Sequence, residues 1–213
     1  MKWYKDNFAS PVKCVLKKFP LGNIYQLWGE NPELYSSAFG HHDDFYRYIG
    51  GHSGIDITTF HRDKIYSAHD GYVRMINTNR TTLGGLYLRI TTDPFKDGKD
   101  EVKVETDYGH LDEIIVKVNQ RVKKGDLIGY MGNTGFVISG GTPYWGNAPA
   151  GKGTHLHFGL REFIKKTAWE NRRTNPLGNT IDPLPYLTGD YSGINILLNN
   201  AKKLLLFWRK WKT

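Results

Sequence analysis

Short stretches in which apolar and polar residues alternate, punctuated by Gly, Pro and Asn, recur along most of this chain, and each reads as a strand rather than a helix. Residues 23–29 make the first. The run Ile55-Asp56-Ile57-Thr58-Thr59 follows a turn containing Gly50 and Gly51. Residues 64–68 and 71–76 predict two strands joined by a short turn at His69-Asp70, and Gly84-Gly85 introduces another over 86–91. A polar loop with Pro94 and Gly98 is expected over 92–100, then a strand over 101–107 that ends in Tyr108-Gly109-His110-Leu111. Between 116 and 135 glycines fall at short intervals among apolar pairs, which predicts brief strands in tight turns and leaves no room for a helix. Residues 136–152, rich in Gly, Pro and aromatics, predict a long loop, and its position directly before a further strand makes it a substrate wall. Only the end differs: Ile194, Leu197, Leu198, Ala201, Leu204, Leu205, Trp208 and Trp211 recur at helical spacing.

Composition agrees with a β-rich globular chain. Of the 213 residues, 39% are hydrophobic and 14% aromatic, ample for a core, and 24 Gly with 9 Pro supply many turns. The single cysteine, Cys14, excludes a disulfide framework and a Cys-rich zinc site. The net charge is +8, and Lys202, Lys203, Arg209, Lys210 and Lys212 contribute five of these charges without an acidic neighbour after residue 193. No nucleic-acid motif accompanies the charge, so anionic envelope polymers or lipid head groups fit it as well. No apolar run reaches the length of a membrane span, and the first twenty residues lack the apolar core of a secretory leader. The expectation is a mature form, or a protein that leaves its cell by another route.

The candidate chemistry lies in two short motifs about a hundred residues apart. In Gly153-Thr154-His155-Leu156-His157-Phe158, strand alternation projects both imidazoles to one face and turns Leu156 and Phe158 into a core. In His52-Ser53-Gly54-Ile55-Asp56, a fully extended chain would separate the His and Asp Cα atoms by about 13 Å, too far to share one ion comfortably. A helix is disfavoured by the glycines and β-branched residues, so the chain must bend, and Gly54 is the residue that permits it. Two imidazoles and one carboxylate suit Zn²⁺ and leave the fourth position for water or substrate, as in a catalytic site.

On these residues, together with Ala68-His69-Asp70-Gly71-Tyr72-Val73, Tyr108-Gly109-His110-Leu111, the segment 118–129, Gly132-Asn133-Thr134-Gly135 and Asp182-Pro183-Leu184-Pro185-Tyr186-Leu187, the chain resembles the lysostaphin-type, or LytM-like, zinc endopeptidases over residues 20–187. The resemblance implies a compact, mainly β domain of the duplicated hybrid motif type, built from antiparallel sheets around a narrow groove with zinc at its floor. It implies hydrolysis of peptide cross-links in bacterial peptidoglycan. It makes His52, Asp56 and His157 the zinc ligands and places His110 and His155 beside the metal. Chemistry alone leaves open which histidine of the H-x-H binds the ion. It does explain two further imidazoles, because peptide hydrolysis needs a base and an acid and no H-E-x-x-H glutamate is present. In such enzymes a tyrosine assists the oxyanion, and Tyr46 and Tyr48 precede His52 without a reason to choose between them.

Some features depart from that pattern. The insertion from Phe136 replaces a short turn, Thr154 stands where a proline is usual, and Gly159 stands where an acidic residue commonly follows, with Glu162 nearby. His41 and His42 are read as solvated loop residues. The expected organisation is an arm over 1–18, a peptidase domain over 19–190 and a cationic amphipathic helix over 191–213. That helix suits an anionic membrane or envelope surface, or packing on its own domain or a second subunit. With no leader and a basic end, a phage lysis or virion enzyme acting on the wall from the periplasm or outside is one expectation. A ligand-depleted binding module is disfavoured by the full histidine set, and D-Ala-D-Ala peptidases by the short His52 to Asp56 spacing.

Overall fold

The computed structural model describes residues 2–14, 16, 23–30 and 51–187. The helix expected over 191–213 and the residues His41, His42, Tyr46 and Tyr48 lie outside these. After a one-turn helix α1 (Trp3–Asn7) come β1 (Ile24–Gln26), β2 (Ile55–Ile57), β3 (Lys64–Tyr66), β4 (Gly71–Asn77), β5 (Leu86–Thr91), β6 (Phe95–Asp97) and the long β7 (Asp100–Ile114). Then follow β8 (Arg121–Val122), β9 (Leu127–Met131), β10 (Thr134–Ser139), β11 (Thr142–Asn147), β12 (Leu156–Lys165) and β13 (Trp169–Asn171), with a 3-10 turn at Leu184–Tyr186. Among the described residues no helix is long and apolar enough to cross a membrane.

In place of several small sheets, eleven strands share one antiparallel sheet whose main path runs β1-β2-β12-β7-β5-β4-β8. The reason is β7: its 15 residues are flanked along the middle by β12 and β5 and still reach β6 at the start and β9 at the end. Strand β12 lies between β2 and β7, and its register sets one face against the other. Leu156 pairs with Ile57 and Phe158 with Ile55 and Tyr108, and all five are fully buried. His157, between them, pairs with Asp56 on one side and Gly109 on the other, on the opposite face. One face is therefore core and the other carries the polar site, as alternation requires.

Several expectations change in detail. The strands β3 and β4 both form, but they do not pair with each other: β3 joins β9 and β4 joins β5 and β8. The segment between them is thus a crossing, in which Ser67, Ala68 and His69 are buried and Asp70 is exposed. The polar loop over 92–100 instead contributes β6, which folds back on the start of β7. The loop over 136–152 is largely the separate hairpin β10–β11, closed by Gly140-Gly141, both with positive φ, as a two-residue hairpin turn demands. Residues of the expected arm, Tyr4, Phe8, Val12 and Leu16, are buried in the same core as the strands. The Tyr4 ring stacks on Tyr186 at 4.0 Å, and its hydroxyl donates to Glu162 at 2.9 Å. Glu162 therefore points into the core face and takes no part in the polar site. Burying each such aromatic contributes on the order of 2 kcal/mol.

His69 shows what the crossing does. It is fully buried, its Nδ1–H donates to the Asp70 carbonyl at 2.8 Å, and Nε2 lies 3.0 Å from Thr106 Oγ1. Burial pushes it down to about 4 from an ordinary 6.5. As pH falls below 6.5 the unfolded chain takes up a proton that the folded chain refuses, so stability declines until about pH 4. The loss amounts to about 3 kcal/mol. In urea titrations at pH 7 and 4.5 the parent should lose about 2 to 3 kcal/mol more on acidification than His69→Gln, which cannot take that proton. Equal losses in the two proteins would remove His69 as the cause.

Candidate metal centre

Three strands and one turn bring the site together. His52 enters from the glycine-rich turn, where its backbone N–H donates to the Glu30 carbonyl and its carbonyl accepts from Gly29 N–H at 2.8 Å. Its ring Nδ1–H donates to the Leu27 carbonyl at 3.2 Å, because a carbonyl can only accept, and this leaves Nε2 with a bare lone pair. The residues just after β1 therefore orient His52, a contribution that carried no mark in the sequence. The chain does bend between His52 and Asp56, whose side chains meet, and Gly51, just before this stretch, has a positive φ of 130°. Gly54 serves by its lack of a side chain: a Cβ would lie 2.6 Å from the Phe158 carbonyl oxygen and 2.8 Å from His157 Nε2.

His52 Nε2 lies 3.0 Å from His157 Nδ1 and 3.1 Å from Asp56 Oδ1, and His157 Nδ1 lies 3.1 Å from the same Oδ1. This nearly equilateral triangle of two nitrogens and one oxygen is the one group of metal-ligating type among the described residues. A carboxylate oxygen facing a bare imidazole nitrogen at 3.1 Å is repulsive unless a positive charge lies against both. Ligand atoms around a tetrahedral ion with bonds near ~2.0 Å sit about 3.3 Å apart, so the donor set fits a divalent ion after small adjustment. Burial alone would raise Asp56, but positive charge facing it, at His52 first and then at His155, with the hydrogen bond from His157, holds it well below the usual carboxylate range. It is an anion ready to ligate.

The remaining two expected residues also converge here. His155 lies at the start of β12, bridged to Gly132, with Nε2 3.8 Å from Asp56 Oδ2. His110 interrupts β7 in the left-handed region, φ 58°, and this turns its ring toward that of His155, with centroids 4.4 Å apart. Each ring is held the same way: His110 Nδ1–H donates to the Thr134 carbonyl at 2.7 Å, and His155 Nδ1–H to the Gly153 carbonyl at 2.8 Å. Each Nε2 is thus left as a hydrogen-bond acceptor. Burial, then the neighbouring His155, pushes His110 down to about 3, so it is neutral near pH 7. Thr134 is a residue whose role sequence reasoning missed. Its hydroxyl donates to the Leu111 carbonyl and accepts from Leu86 N–H, fixing the carbonyl that orients His110.

The five residues span a depth gradient. His52, Asp56 and His110 are buried, whereas His155 and His157 are half-buried at the opening. Farther along the same sheet face come Gly159 and then an ion-pair network in which Asp107 and Glu105 meet Arg161, Arg89 and Arg74. A buried anionic donor set open on one side, with two oriented imidazoles beside it, can bind a metal ion and move a proton next to it.

The peptidoglycan DD-endopeptidases ShyC and ShyB of Vibrio cholerae are 29% identical over 126 residues and 26% identical over 157 residues, covering 59% and 73% of this chain. This chain spans less than a third of their length, 23% and 30%. Among solved structures, LytU is 28% identical with a TM-score of 0.47, covering 80% of this chain and 88% of its own. The catalytic domain of lysostaphin from Staphylococcus simulans is 21% identical with a TM-score of 0.40, covering 64% of this chain and 79% of that domain. Peptidase family M23 matches residues 50–176, from just before His52 to beyond His157 and well over half of the sequence, and the chain belongs to that family.

Proposed function

We propose that this protein is a zinc endopeptidase that hydrolyses peptide cross-links of bacterial peptidoglycan, acting at the cell wall. The observation that carries the reading is the triangle of His52 Nε2, Asp56 Oδ1 and His157 Nδ1, 3.0 to 3.1 Å on each side, with two further imidazoles at its edge. Family membership supports a peptidase, and relatives that carry the name peptidoglycan DD-endopeptidase support the substrate.

His52, Asp56 and His157 would hold the ion. Bound zinc supplies a Lewis acid for the scissile carbonyl and lowers the pKa of water to about 7. The protein's own residues do the rest. With Nδ1–H of each ring tied to a backbone carbonyl, His155 would accept the proton of the attacking water at Nε2 and return it to the departing amine nitrogen, while Nε2 of the buried His110 would accept a hydrogen bond that orients that water. As the carbonyl oxygen gains charge, the imidazole that has just become cationic stabilises it. The fixed tautomers matter because neither ring has to reorganise before the proton moves.

Purified protein incubated with sacculi should release free amines. A chelator should stop the release and zinc should restore it, while mass spectrometry of the fragments identifies the bond. No amine release from zinc-loaded protein would refute the reading.

A further inference from the structure

The hairpin β10–β11 stands apart from the main sheet, yet it is joined to the site at both ends. At its start Thr134 holds His110, and two residues on Phe136 N–H donates to the Leu83 carbonyl, next to Gly84, whose carbonyl accepts from His110 N–H. At its end Asn133 Nδ2 donates to the carbonyls of Ala148, Pro149 and Lys152, at 3.3, 2.9 and 2.9 Å, which fixes the turn leading to Gly153 and so to His155. Arg80 rivets its side: Nη1 donates to Asn147 Oδ1 at 2.9 Å and Nη2 to the Asp112 carbonyl at 2.7 Å. A segment clamped this way is rigid, but what it holds up is exposed. Trp145 is 60% exposed, and its ring lies 4.6 Å from that of its cross-strand partner Phe136.

We propose that Trp145 and Phe136 form a carbohydrate platform that stacks one amino-sugar ring of the glycan strand beside the peptide being cut. The proposal rests on the reading of the site as a peptidoglycan hydrolase. A pyranose presents an apolar C–H face and an equatorial rim of hydroxyl and acetamido groups. It is recognised by an aromatic face bordered by planar hydrogen-bonding groups, and here the border is Asn147 and Arg80. A membrane contact would call for a broad apolar surface, whereas this patch is one aromatic pair with Leu83 beside it. Continuity gives the occupant. Cross-linking peptides are covalently attached to glycan, so a cross-link lying on His157 and His155 brings a sugar within one short peptide of the hairpin. Preorganising the aromatic pair removes the ordering cost of that contact.

The test compares parent and Trp145→Ala in two ways. The first is hydrolysis of intact sacculi relative to hydrolysis of a cross-linked peptide dimer freed of glycan; in the variant this ratio should fall about tenfold. The second needs no hydrolysis: titration with a β-1,4-linked N-acetylglucosamine tetramer should shift the indole N–H resonance of Trp145, identified by its loss in the variant. An unchanged ratio, or no shift of that resonance at saturating tetramer, overturns the proposal. So does a resonance that responds to anionic phospholipid vesicles and not to the tetramer. If neither peptide substrate is cut, the peptidase reading fails while the tetramer titration still decides the platform.

Discussion

Asp56→Asn and His52→Ala proteins should purify folded, hold little or no zinc, and lose about 10³-fold or more of their turnover. Asp56 Oδ1 is the vertex shared by both imidazole contacts at 3.1 Å, and it brings the negative charge of the donor set. An amide keeps its shape and its place between Ile55 and Ile57, both fully buried, so the strand and core survive. What disappears is the anion. Two neutral imidazoles and an amide oxygen hold a divalent ion far more weakly than two imidazoles and a carboxylate. His52→Ala removes a nitrogen whose lone pair is aimed by the Leu27 carbonyl and leaves that carbonyl without its donor. Elemental analysis gives zinc per chain, circular dichroism gives the fold, and amine release gives turnover. A variant with one zinc per chain and normal turnover would exclude its residue from the metal set.

These contacts were unequally legible in the sequence. The H-x-H strand was plain, because alternation alone places Leu156 and Phe158 inward and His155 and His157 outward. The pairing of His157 with Asp56 was not. It depends on the register of β12 against β2, which are separated by a hundred residues and joined by no local pattern. Gly54 is the one glycine between His52 and Asp56, and the fold also needs its bare Cα for the close approach of Phe158 and His157, while the positive φ falls on Gly51, before His52. Spacing cannot distinguish these two uses of glycine, since one concerns the chain itself and the other a neighbour that arrives from elsewhere.

The carbonyls of Leu27, Thr134 and Gly153, which set the tautomers of His52, His110 and His155, belong to the same class of hidden contributions. Every residue has a carbonyl, so composition carries no trace of the ones that matter. The hairpin over 134–147 escaped for a different reason. Its Gly, Pro and aromatic content matched a loop, and only the Gly140-Gly141 dipeptide hinted at a two-residue turn. His69 was placed in a short turn because strands expected on either side looked like partners. In the fold they join different neighbours, and the link between them buries Ser67, Ala68 and His69.

His110→Ala and His155→Ala should behave in the opposite way to the ligand variants: each keeps its zinc, and each loses about 10² to 10⁴ of kcat. Neither belongs to the donor triangle. His155 Nε2 is 3.8 Å from the outer oxygen of Asp56, and the His110 ring centroid is 6.3 Å from that of His157. Their Nδ1–H groups are committed to the Gly153 and Thr134 carbonyls, so their contribution is confined to Nε2 and to proton movement there. With ring centroids only 4.4 Å apart, they would act on one water and one proton path rather than two. Removing both should therefore cost little more than removing the more important one, the non-additivity expected of residues that act as a unit. Independent roles would instead multiply the losses. A single variant with near-normal kcat would take that histidine out of the chemistry, and loss of zinc from either would move it from proton transfer to metal binding.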